Sequence, residues 1–548
     1  MASVDSYRRL STGYRRRNPD VTWTATVAVA SALLVAACSA GTDLGRSNDP
    51  APVTEQAEQA DDQDSSGPGS GESSDGDGTD GDANDGNTAD PETDPGADSG
   101  GGGAGGDEEP ADGARLYYSL EQVPEEQLAA LAELDGKLAI GALQSIAVAR
   151  PDGRGYVEVD GDKSRVSGQP TWSRDGSRLV WSSVSSVSQE ARIQTFDDEG
   201  VVDGEPARIP VPGHRIFYFQ WNRDDSRILY LRNSTRRQTV EAGVIEPDGG
   251  AAWMADGNPF FVSWAPDELA VAGHVADEAI LLFDPSGSRP LVTEPDTELP
   301  PVPPEGPVAG RFLADGGGFS APVWLDDQSL LVVIDGWLSV VSIVDSEVTR
   351  LLELDGPVRF VVSPDRRQVA LQLAGAFGAD RPIEASFESG ANTSTVPVQA
   401  GASLVVFDLE TKGSSTVTDL PVVAWEWSPD GSKLAWLELV GPLVRRQGRW
   451  RFWTPDGPPA GDATAPTLTL TDKELENYLP FFAQYTQSIT RWSPDSSAFA
   501  LAGTADGRQG IWIHLVDQAN PSVLVAPGDF VAWGPGPTPP ASAGRSPA

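Results

Sequence analysis

The sequence predicts an all-β fold, a β-propeller made of four-stranded blades. A short unit with a Trp, a polar turn and an aliphatic run recurs along residues 135–535, and internal repetition at this period is typical of propellers and solenoids. A second hairpin pattern follows most copies, for example at 278–294 and 403–420, and brings the unit to four strands. The 58 Gly and 45 Pro fit a chain rich in loops.

Each copy of the repeat can be justified from its residues. In 426–437, EWSPDGSKLAWL, the Trp ends one strand and Ser-Pro-Asp-Gly forms a turn, because Pro presets φ and Gly accepts a positive φ. The aliphatic run that follows alternates as a half-buried strand does. Val362 replaces the Trp in one copy. The repeated tryptophans, which we interpret as core residues, are Trp172, Trp221, Trp264, Trp324, Trp427, Trp492 and Trp533.

The two ends of the repeat region complement each other. Residues 135–149 begin with the Asp-Gly of a turn but lack the Trp strand, whereas 530–533 is a Trp strand that no further strand follows. The C-terminal strand is therefore expected to complete the N-terminal blade, which removes the exposed edges of an open sheet. This partition predicts eight blades, with seven as the alternative. The propeller is assigned to 114–535, a short helix to 124–134, and a disordered tail to 536–548.

The first 38 residues are predicted to be a signal peptide with a lipobox. Five Arg precede an uncharged stretch at 21–37 that ends in small residues, which is the secretory pattern. Val35-Ala36-Ala37-Cys38 resembles the bacterial lipobox, and Cys38 is the one Cys of the sequence. The resemblance implies that Cys38 is lipidated and anchors the protein to the bacterial cell membrane, outside the cytoplasm. An uncleaved anchor and a plain secreted protein are the alternatives.

Residues 39–113 are predicted to be a disordered linker between the anchor and the propeller. The segment holds 21 acids and a single Arg, and it has few large apolar residues. It cannot bury enough apolar surface to offset the entropy of an ordered chain. Repulsion among its charges should also extend it.

Composition limits the chemistry that we expect. The formal net charge of −42 argues against nucleic-acid binding through a broad basic face. One Cys excludes a disulfide framework. His214, His274 and His514 fall in different repeats without metal-ligand spacing, and the sequence contains no nucleophile elbow and no Walker A loop. The sequence therefore predicts no catalytic residue, no metal and no cofactor.

One insertion, at 440–488, carries the candidate partner-binding residues. It holds the densest cluster of Arg and Trp outside the leader, and these residue types dominate interface energies. The candidates are Arg445, Arg446, Arg449, Trp450, Arg451 and Trp453. They predict a docking hairpin for an acidic partner or for the linker. Alternatively, both tryptophans pack on a blade while the arginines stay solvated. The aromatic segment 475–487 is expected to pack against the side of the ring.

The repeat resembles that of a known group of propellers. The pattern W-S-P-D-G-x-x-L-A at 427–435 is similar to the WD40-like repeat of TolB-type propellers. A lipid-anchored propeller also resembles the actinobacterial LpqB-type lipoproteins, although those carry a further folded domain where this chain has its acidic linker. The resemblance implies the propeller fold, and such blades serve scaffolds, sensors and protease gates alike.

These observations predict a non-enzymatic, lipid-anchored scaffold that binds a protein or a cell-envelope component. Two alternatives stay open: an enzyme or carbohydrate-acting protein that uses residues of the channel, and a domain that senses a ligand for a membrane partner. A polar funnel with perturbed carboxylates would favour the enzyme, whereas a closed channel would favour the scaffold.

Overall fold

The computed structural model describes residues 122–536, except 186–187, 211–215, 234–239, 249–250, 258–259, 269, 276–278, 284–310, 316–319, 355–357, 373–383, 390–391, 398–403, 442–444, 456–463 and 519–520. The predicted signal peptide with Cys38, the predicted linker and all but the first residue of the predicted tail lie outside this part of the chain. Within it, no helix is both long enough and apolar enough to cross a membrane.

A short helix precedes the strands. Helix α1 spans Glu125–Glu133, close to the predicted 124–134. Pro124 stands at its start and two acids lie in its first turn, where they favour the positive end of the helix dipole. The amide of Gln127 donates a hydrogen bond to the backbone carbonyl of Pro521 at 2.6 Å, and this bond ties the helix to the C-terminal part of the ring.

The first strands of the chain form successive antiparallel sheets, as the sequence predicts. The N-terminal strands are β1 Lys137–Ala142, β2 Ser145–Ala149 and β3 Val157–Asp160. The second sheet contains β4 Val166–Trp172, β5 Arg178–Val184, β6 Gln189–Phe196 and β7 Val202–Pro210. The third sheet contains β8 Ile216–Trp221, β9 Ile228–Asn233, β10 Val240–Ile245 and β11 Ala251–Gly257. The strand that carries the key Trp lies at one edge of the second and the third sheet.

The middle of the chain repeats this arrangement. The fourth sheet contains β12 Phe260–Trp264, β13 Val271–Val275, β14 Ala279–Phe283 and β15 Arg311–Asp315. The fifth contains β16 Val323–Asp326, β17 Ser329–Ile334, β18 Trp337–Ser342 and β19 Val348–Glu353. The hairpin β22 Glu384–Ser389 and β23 Asn392–Pro397 interrupts the sixth, which contains β20 Arg359–Val362, β21 Gln368–Gln372, β24 Leu404–Asp408 and β25 Ser414–Thr418.

The C-terminal strands join into a larger sheet. It contains β26 Val422–Trp427, β27 Leu434–Leu439, β28 Gln447–Trp453, β29 Thr464–Thr469, β30 Ala498–Ala505, β31 Arg508–Leu515 and β32 Val523–Ala526. A pairing of Thr469 with Thr504 links its first four strands to the last three. The last strand, β33 Phe530–Gly534, pairs antiparallel with β1, which is the pairing that the sequence predicts for it. The fold is a β-propeller, and the number of blades stays a prediction.

A helical segment separates β29 from β30. It consists of a π-helical stretch Glu474–Tyr478, a 3-10 turn Leu479–Phe481 and a short helix α2, Phe482–Tyr485. Trp strands of successive sheets contact one another, for example β4 with β8 and β12 with β16, so they are the innermost strands around the central channel.

The repeated tryptophans join neighbouring sheets by hydrogen bonds. The indole N–H of Trp264 donates to the carbonyl of Gln220 at 3.2 Å, and that of Trp324 donates to the carbonyl of Ser263 at 3.3 Å. In each case the acceptor is the residue just before the key residue of the preceding sheet. The same bond, at 3.1–3.4 Å, is made by Trp172, Trp221, Trp427 and Trp492. The tryptophans are buried, so they are core residues that also carry a directional contact.

Two key positions depart from this pattern. Val362 has no donor and contributes only its buried side chain. Trp533 donates instead to the carbonyl of Asp135 at 3.0 Å, so its indole ties β33 to the residues just before β1. The bond from Trp172 to the carbonyl of Ala532 connects the second sheet with β33, which itself lies beside β1 in the first sheet.

A second contact joins the polar turns. Asp225 and Glu268 occupy the fourth position of their turns with positive φ, at 58° and 63°. The carboxylate of Asp225 accepts hydrogen bonds from the backbone N–H groups of Arg174 and Asp175 at 2.9 and 3.0 Å. The carboxylate of Glu268 accepts in the same way from the N–H of Asp224 at 2.8 Å. These acids therefore bind the preceding turn instead of facing solvent.

The indole bond should be measurable in isolation. Trp264→Phe keeps an aromatic ring but removes the hydrogen bond to the carbonyl of Gln220, and one such bond contributes about 0.5–1.5 kcal/mol. Urea unfolding should show a fall of that size in the free energy of unfolding. Trp337→Phe is the matched control, because Trp337 is also buried but its indole N–H makes no hydrogen bond within the described part of the chain. An equal fall in the free energy of unfolding in both variants would show that the effect comes from the smaller volume of the Phe ring and not from the lost hydrogen bond.

Candidate functional site

The segment between β29 and β30 occupies the central channel. We name residues 472–487 the plug. The plug contacts the Trp strands of sheets on opposite sides of the ring. Only a segment inside the ring can reach all of these strands. The expectation that 475–487 packs against the side of the ring was therefore wrong. The aromatic side chains of the segment need apolar partners on every side, and the channel provides them.

Hydrogen bonds fix the plug to two neighbouring Trp strands. The side-chain amide of Gln484 forms two hydrogen bonds with the backbone of Val262 in β12, in the way that a residue of a neighbouring β-strand would. Its oxygen accepts from the backbone N–H at 2.9 Å, and its nitrogen donates to the carbonyl at 2.8 Å. The hydroxyl of Tyr485 donates to the carbonyl of Phe217 in β8. Gln484 is 3% exposed, so both of its bonds lie in a dry interior.

Packing fixes the plug on the other sides. The ring of Phe482 meets Trp425 of β26 edge-on, with 4.5 Å between ring centroids. Tyr478 lies beside Phe530 of β33 at 6.3 Å. At the start of the plug, the ammonium of Lys473 donates to the last carbonyl of β1 at 2.7 Å. The plug therefore touches several sheets at once and fills the channel with side chains.

A buried charged cluster joins the start of the plug to the residues that follow it. The guanidinium of Arg491 donates to both carboxylate oxygens of Glu474 at 2.7 Å and lies over the ring of Tyr478 at 3.9 Å. Glu426 of β26 accepts hydrogen bonds from the hydroxyl of Thr490 at 2.6 Å and from the backbone N–H of Arg491 at 2.8 Å. Burial raises the pKa of Glu426 to about 7, although Arg491 opposes the shift. This carboxyl therefore titrates near neutral pH.

A cavity opens between the turns at one end of the plug. Its volume is about 480 Å³, and Trp264, Trp324 and Trp427 contribute to its walls. Gln487 of the plug and Gln220 of β8 belong to its floor, and both also line an adjoining cavity of about 220 Å³. We name the larger cavity the mouth.

Three arginines line the mouth. Arg174, Arg223 and Arg366 belong to three different turns and are exposed, and none of them forms an ion pair with an acid that the structure describes. Asp175 and Asp365, their neighbours in sequence, accept hydrogen bonds from serine hydroxyls of their own turns. The walls of the mouth keep water from part of the Arg366 side chain and Arg174 adds positive charge, so the pKa of Arg366 is lowered.

The floor of the mouth contains polar atoms without partners. Among the described residues, no hydrogen bond reaches the side-chain oxygen of Gln220, the second carboxyl oxygen of Glu426 or the side-chain nitrogen of Gln487. Buried polar atoms are normally paired, so each such atom calls for an explanation. The mouth therefore combines a positive rim with a polar floor.

The two tryptophans of the predicted docking hairpin lie in the core. Trp450 and Trp453 of β28 are 4% and 7% exposed. Trp450 packs against Phe499 with 4.8 Å between ring centroids, and Trp453 packs against Trp427 at 6.5 Å. Partner binding through these two side chains is therefore a wrong expectation, and the packed hairpin that the sequence left as the alternative describes them.

The four arginines of this hairpin do not form one surface. Arg445 and Arg446 are exposed, and Arg446 pairs with Asp472. Arg449 and Arg451 are partly buried. The guanidinium of Arg451 donates to the carboxylate of Glu438 at 2.7 Å, while Arg449 donates to a threonine hydroxyl of β29 at 2.9 Å. Arg449 and Arg451 share the face of β28 opposite to Trp450, because alternate residues of a strand face opposite sides, whereas Arg445 and Arg446 precede this strand.

The described histidines belong to the core. The Nδ1 atom of His514 lies 3.0 Å from the hydroxyl of Ser522, and its ring stacks on Phe452. Burial lowers the pKa of His514 to about 4, so it is neutral at physiological pH. His274 is also buried, and His214 lies outside the described residues. Within the described part, no group of three or more His, Cys, Asp or Glu is placed to hold a metal ion.

Sequence reasoning missed the plug and the mouth. A signal for the mouth existed: Arg174 and Arg223 occupy the turn position where other copies have Pro364 or Pro429. A surface turn that replaces Pro by Arg in two adjacent copies indicates a charge requirement. The plug did carry a signal, since four of its sixteen residues are aromatic against 8% of the whole chain, but this composition fits a segment on the side of the ring as well as one in the channel.

The hydrogen bonds of Gln484 should hold the plug in place. Gln484→Leu removes both bonds and leaves the backbone N–H and carbonyl of Val262 unpaired in the interior, at a cost of about 1–3 kcal/mol for each group. Urea unfolding should report this loss. Gln487→Leu is the control, since its side-chain nitrogen has no partner, and we expect a change within about 0.5 kcal/mol. Similar losses in both variants would contradict the role given to Gln484.

The raised pKa of Glu426 predicts a pH dependence of stability. Between the ordinary value of 4.5 and about 7, the folded protein keeps a proton that the unfolded chain releases. This carboxyl therefore lowers the free energy of unfolding as pH rises through that window. Glu426→Gln mimics the neutral form of the carboxyl. The free energy of unfolding of this variant, relative to that of the wild type, should therefore rise by on the order of 3 kcal/mol between pH 4.5 and 7 and stay constant above pH 7.

Urea unfolding at several pH values measures this difference. The same substitution at the exposed Glu410 is the control for a general effect of removing one acid. A difference between Glu426→Gln and the wild type that does not change with pH would contradict the prediction.

Comparison with known proteins yields likenesses of fold. No protein-family model matches the chain, and no curated protein matches it. Similar solved structures include a eukaryotic initiation factor (13% identity, 74% of this chain and 99% of that chain, TM-score 0.46). The propeller domain of the Trilobed protease from Pyrococcus furiosus is also similar (10%, 64% and 96%, 0.35), as is a putative TolB from Agrobacterium tumefaciens (14%, 55% and 96%, 0.28). At these values the likenesses carry no argument about function, and the fold assignment rests on the sheets themselves.

Proposed function

We propose that this protein is a lipid-anchored, extracytoplasmic β-propeller that acts as a non-enzymatic binding scaffold at the cell envelope. Cys38 holds the anchor, the acidic linker 39–113 carries the propeller away from the membrane, and the propeller binds a protein or another envelope component. Membership in the TolB-type or the LpqB-type group belongs to this proposal as well.

The filled channel is the observation that carries the scaffold role. Gln484 and Tyr485 are hydrogen-bonded to the channel wall, and Phe482 is buried against Trp425. A channel closed by packed side chains offers no passage for a substrate. Binding must therefore take place on the faces and the outer edges of the ring, which are the surfaces that a propeller scaffold uses.

The basic leader and the lipobox support the anchor. Five Arg, an uncharged stretch and Val35-Ala36-Ala37-Cys38 follow in the order of a lipoprotein signal. The linker then has a net charge that favours an extended chain. An extended linker gives a tethered scaffold the reach to meet partners that are not embedded in the same patch of membrane.

Metabolic labelling tests the anchor. Full-length protein expressed in a bacterial host with labelled palmitate should take up label at Cys38, the one thiol of the sequence, and Cys38→Ser should lose the label completely. Ser47→Ala, a change in the linker, should keep it. Equal labelling of the wild type and Cys38→Ser would contradict lipidation at this residue.

Crosslinking in the native membrane tests the scaffold role in the same cells. The wild type and Ser47→Ala should each form a crosslinked adduct with the same envelope component, in the same yield. Cys38→Ser should not form this adduct, because the protein is no longer held at the membrane. If the labelled wild type forms no more adduct than Cys38→Ser, the protein is anchored but is not a scaffold for an envelope partner.

A further inference from the structure

We infer that the mouth is a binding site for a small anion that carries hydroxyl groups, such as a uronate or a sugar phosphate. The site is formed by the turns of the propeller and the end of the plug. It is independent of the anchor and of any protein partner, so the inference stands apart from the proposed scaffold role.

The charge of the rim argues for an anion. Arg174, Arg223 and Arg366 line the same cavity and come from turns far apart in sequence, so the fold itself brings them together. Like charges repel, and gathering three of them without acidic partners is unfavourable unless a ligand supplies the opposite charge. Guanidinium groups bind carboxylate and phosphate through paired, charge-assisted hydrogen bonds.

The acids near the rim are engaged elsewhere. The carboxylate of Asp225 holds the backbone N–H groups of Arg174 and Asp175, and Glu268 holds that of Asp224. These bonds keep both carboxylates in the turns. The positive rim therefore persists in a protein whose net charge is −42.

The size and the walls of the mouth argue for a small molecule. Its volume of about 480 Å³ lies in the range of sites for small ligands. Trp324, Phe360 and Val361 give it apolar walls, which suit the faces of a sugar ring. A folded peptide would not enter, because the plug closes the channel immediately below.

The floor argues for hydroxyl groups on the ligand. The unpaired amide oxygen of Gln220 and amide nitrogen of Gln487 are buried beside the cavity that both side chains line, so a change of side-chain torsion that turns them toward a ligand would supply one acceptor and one donor. Hydroxyl groups serve both purposes, since each is donor and acceptor at once. Burial raises the pKa of Glu426 to about 7, so this carboxyl is partly protonated near neutral pH and repels an anion less than an ordinary glutamate would.

Calorimetric titration of purified full-length protein tests the inference. The probes are glucuronate and glucose 6-phosphate, which separate a preference for carboxylate from one for phosphate. Glucose lacks the charge, and acetate and inorganic phosphate lack the hydroxyl-bearing ring. At least one charged sugar should bind saturably, and each of these three controls should bind at least tenfold more weakly. An aspartate-rich peptide tests the competing case of an acidic protein segment.

Arg366→Gln should weaken the binding of the charged sugar by about tenfold or more, as the loss of one hydrogen bond to a charged group does. Arg367→Gln is the matched control, because Arg367 is the exposed neighbour and does not line the cavity. Arg174→Gln is a second variant in another turn, and urea unfolding of all three checks that they fold. Equal losses for Arg366→Gln and Arg367→Gln would overturn the site.

Three further results would overturn the inference. If neither glucuronate nor glucose 6-phosphate binds at concentrations up to about 10 mM, there is no such site. If inorganic phosphate binds as tightly as glucose 6-phosphate, the polar side chains of the floor do not recognise the hydroxyl groups of the ligand. Binding of the aspartate-rich peptide in place of both sugars would make the mouth a site for an acidic protein segment.

Discussion

The hydrogen bond from an indole N–H to the carbonyl of the neighbouring Trp strand is the contact on which the ring depends. Sheets of a propeller touch mainly through apolar side chains, which give cohesion without direction. The bonds of Trp264 to Gln220 and of Trp324 to Ser263 add direction, because each is satisfied at only one register. The Trp is thus both a large core side chain of its repeat and the group that fixes the position of one sheet relative to the next.

This double role explains what the sequence could predict. The repeat pattern predicts the sheets because Trp, the polar turn and the aliphatic run act locally, within about twelve residues of one another. Pairing of β33 with β1 could also be predicted, since an incomplete repeat at each end leaves one edge to fill. The hydrogen-bond acceptor of each indole N–H could not be predicted. The carbonyl of Gln220, for example, belongs to another copy of the repeat, and every copy offers the same backbone group.

The candidate site was harder to predict for a related reason. Trp450 and Arg451 are adjacent in sequence, yet the strand turns one into the core and the other toward Glu438, so a cluster in the sequence is not a cluster in space. Gln484 belongs to the plug and Arg491 follows it. Their partners come from strands that are far away in sequence, more than two hundred residues for Val262 and more than sixty for Glu426. Long-range contacts of this kind carry no periodic signal.

The turns show how one structural device leads to another. A residue with positive φ at the fourth turn position directs Asp225 and Glu268 toward the preceding turn, where their carboxylates bind backbone N–H groups. The same bonds keep these carboxylates from pairing with Arg174 and Arg223 at the second position. Acids that stabilise the junctions between sheets therefore leave the arginines unneutralised. The positive rim of the mouth is thus a consequence of how the turns interlock, and the ring and its candidate ligand site rest on the same set of bonds.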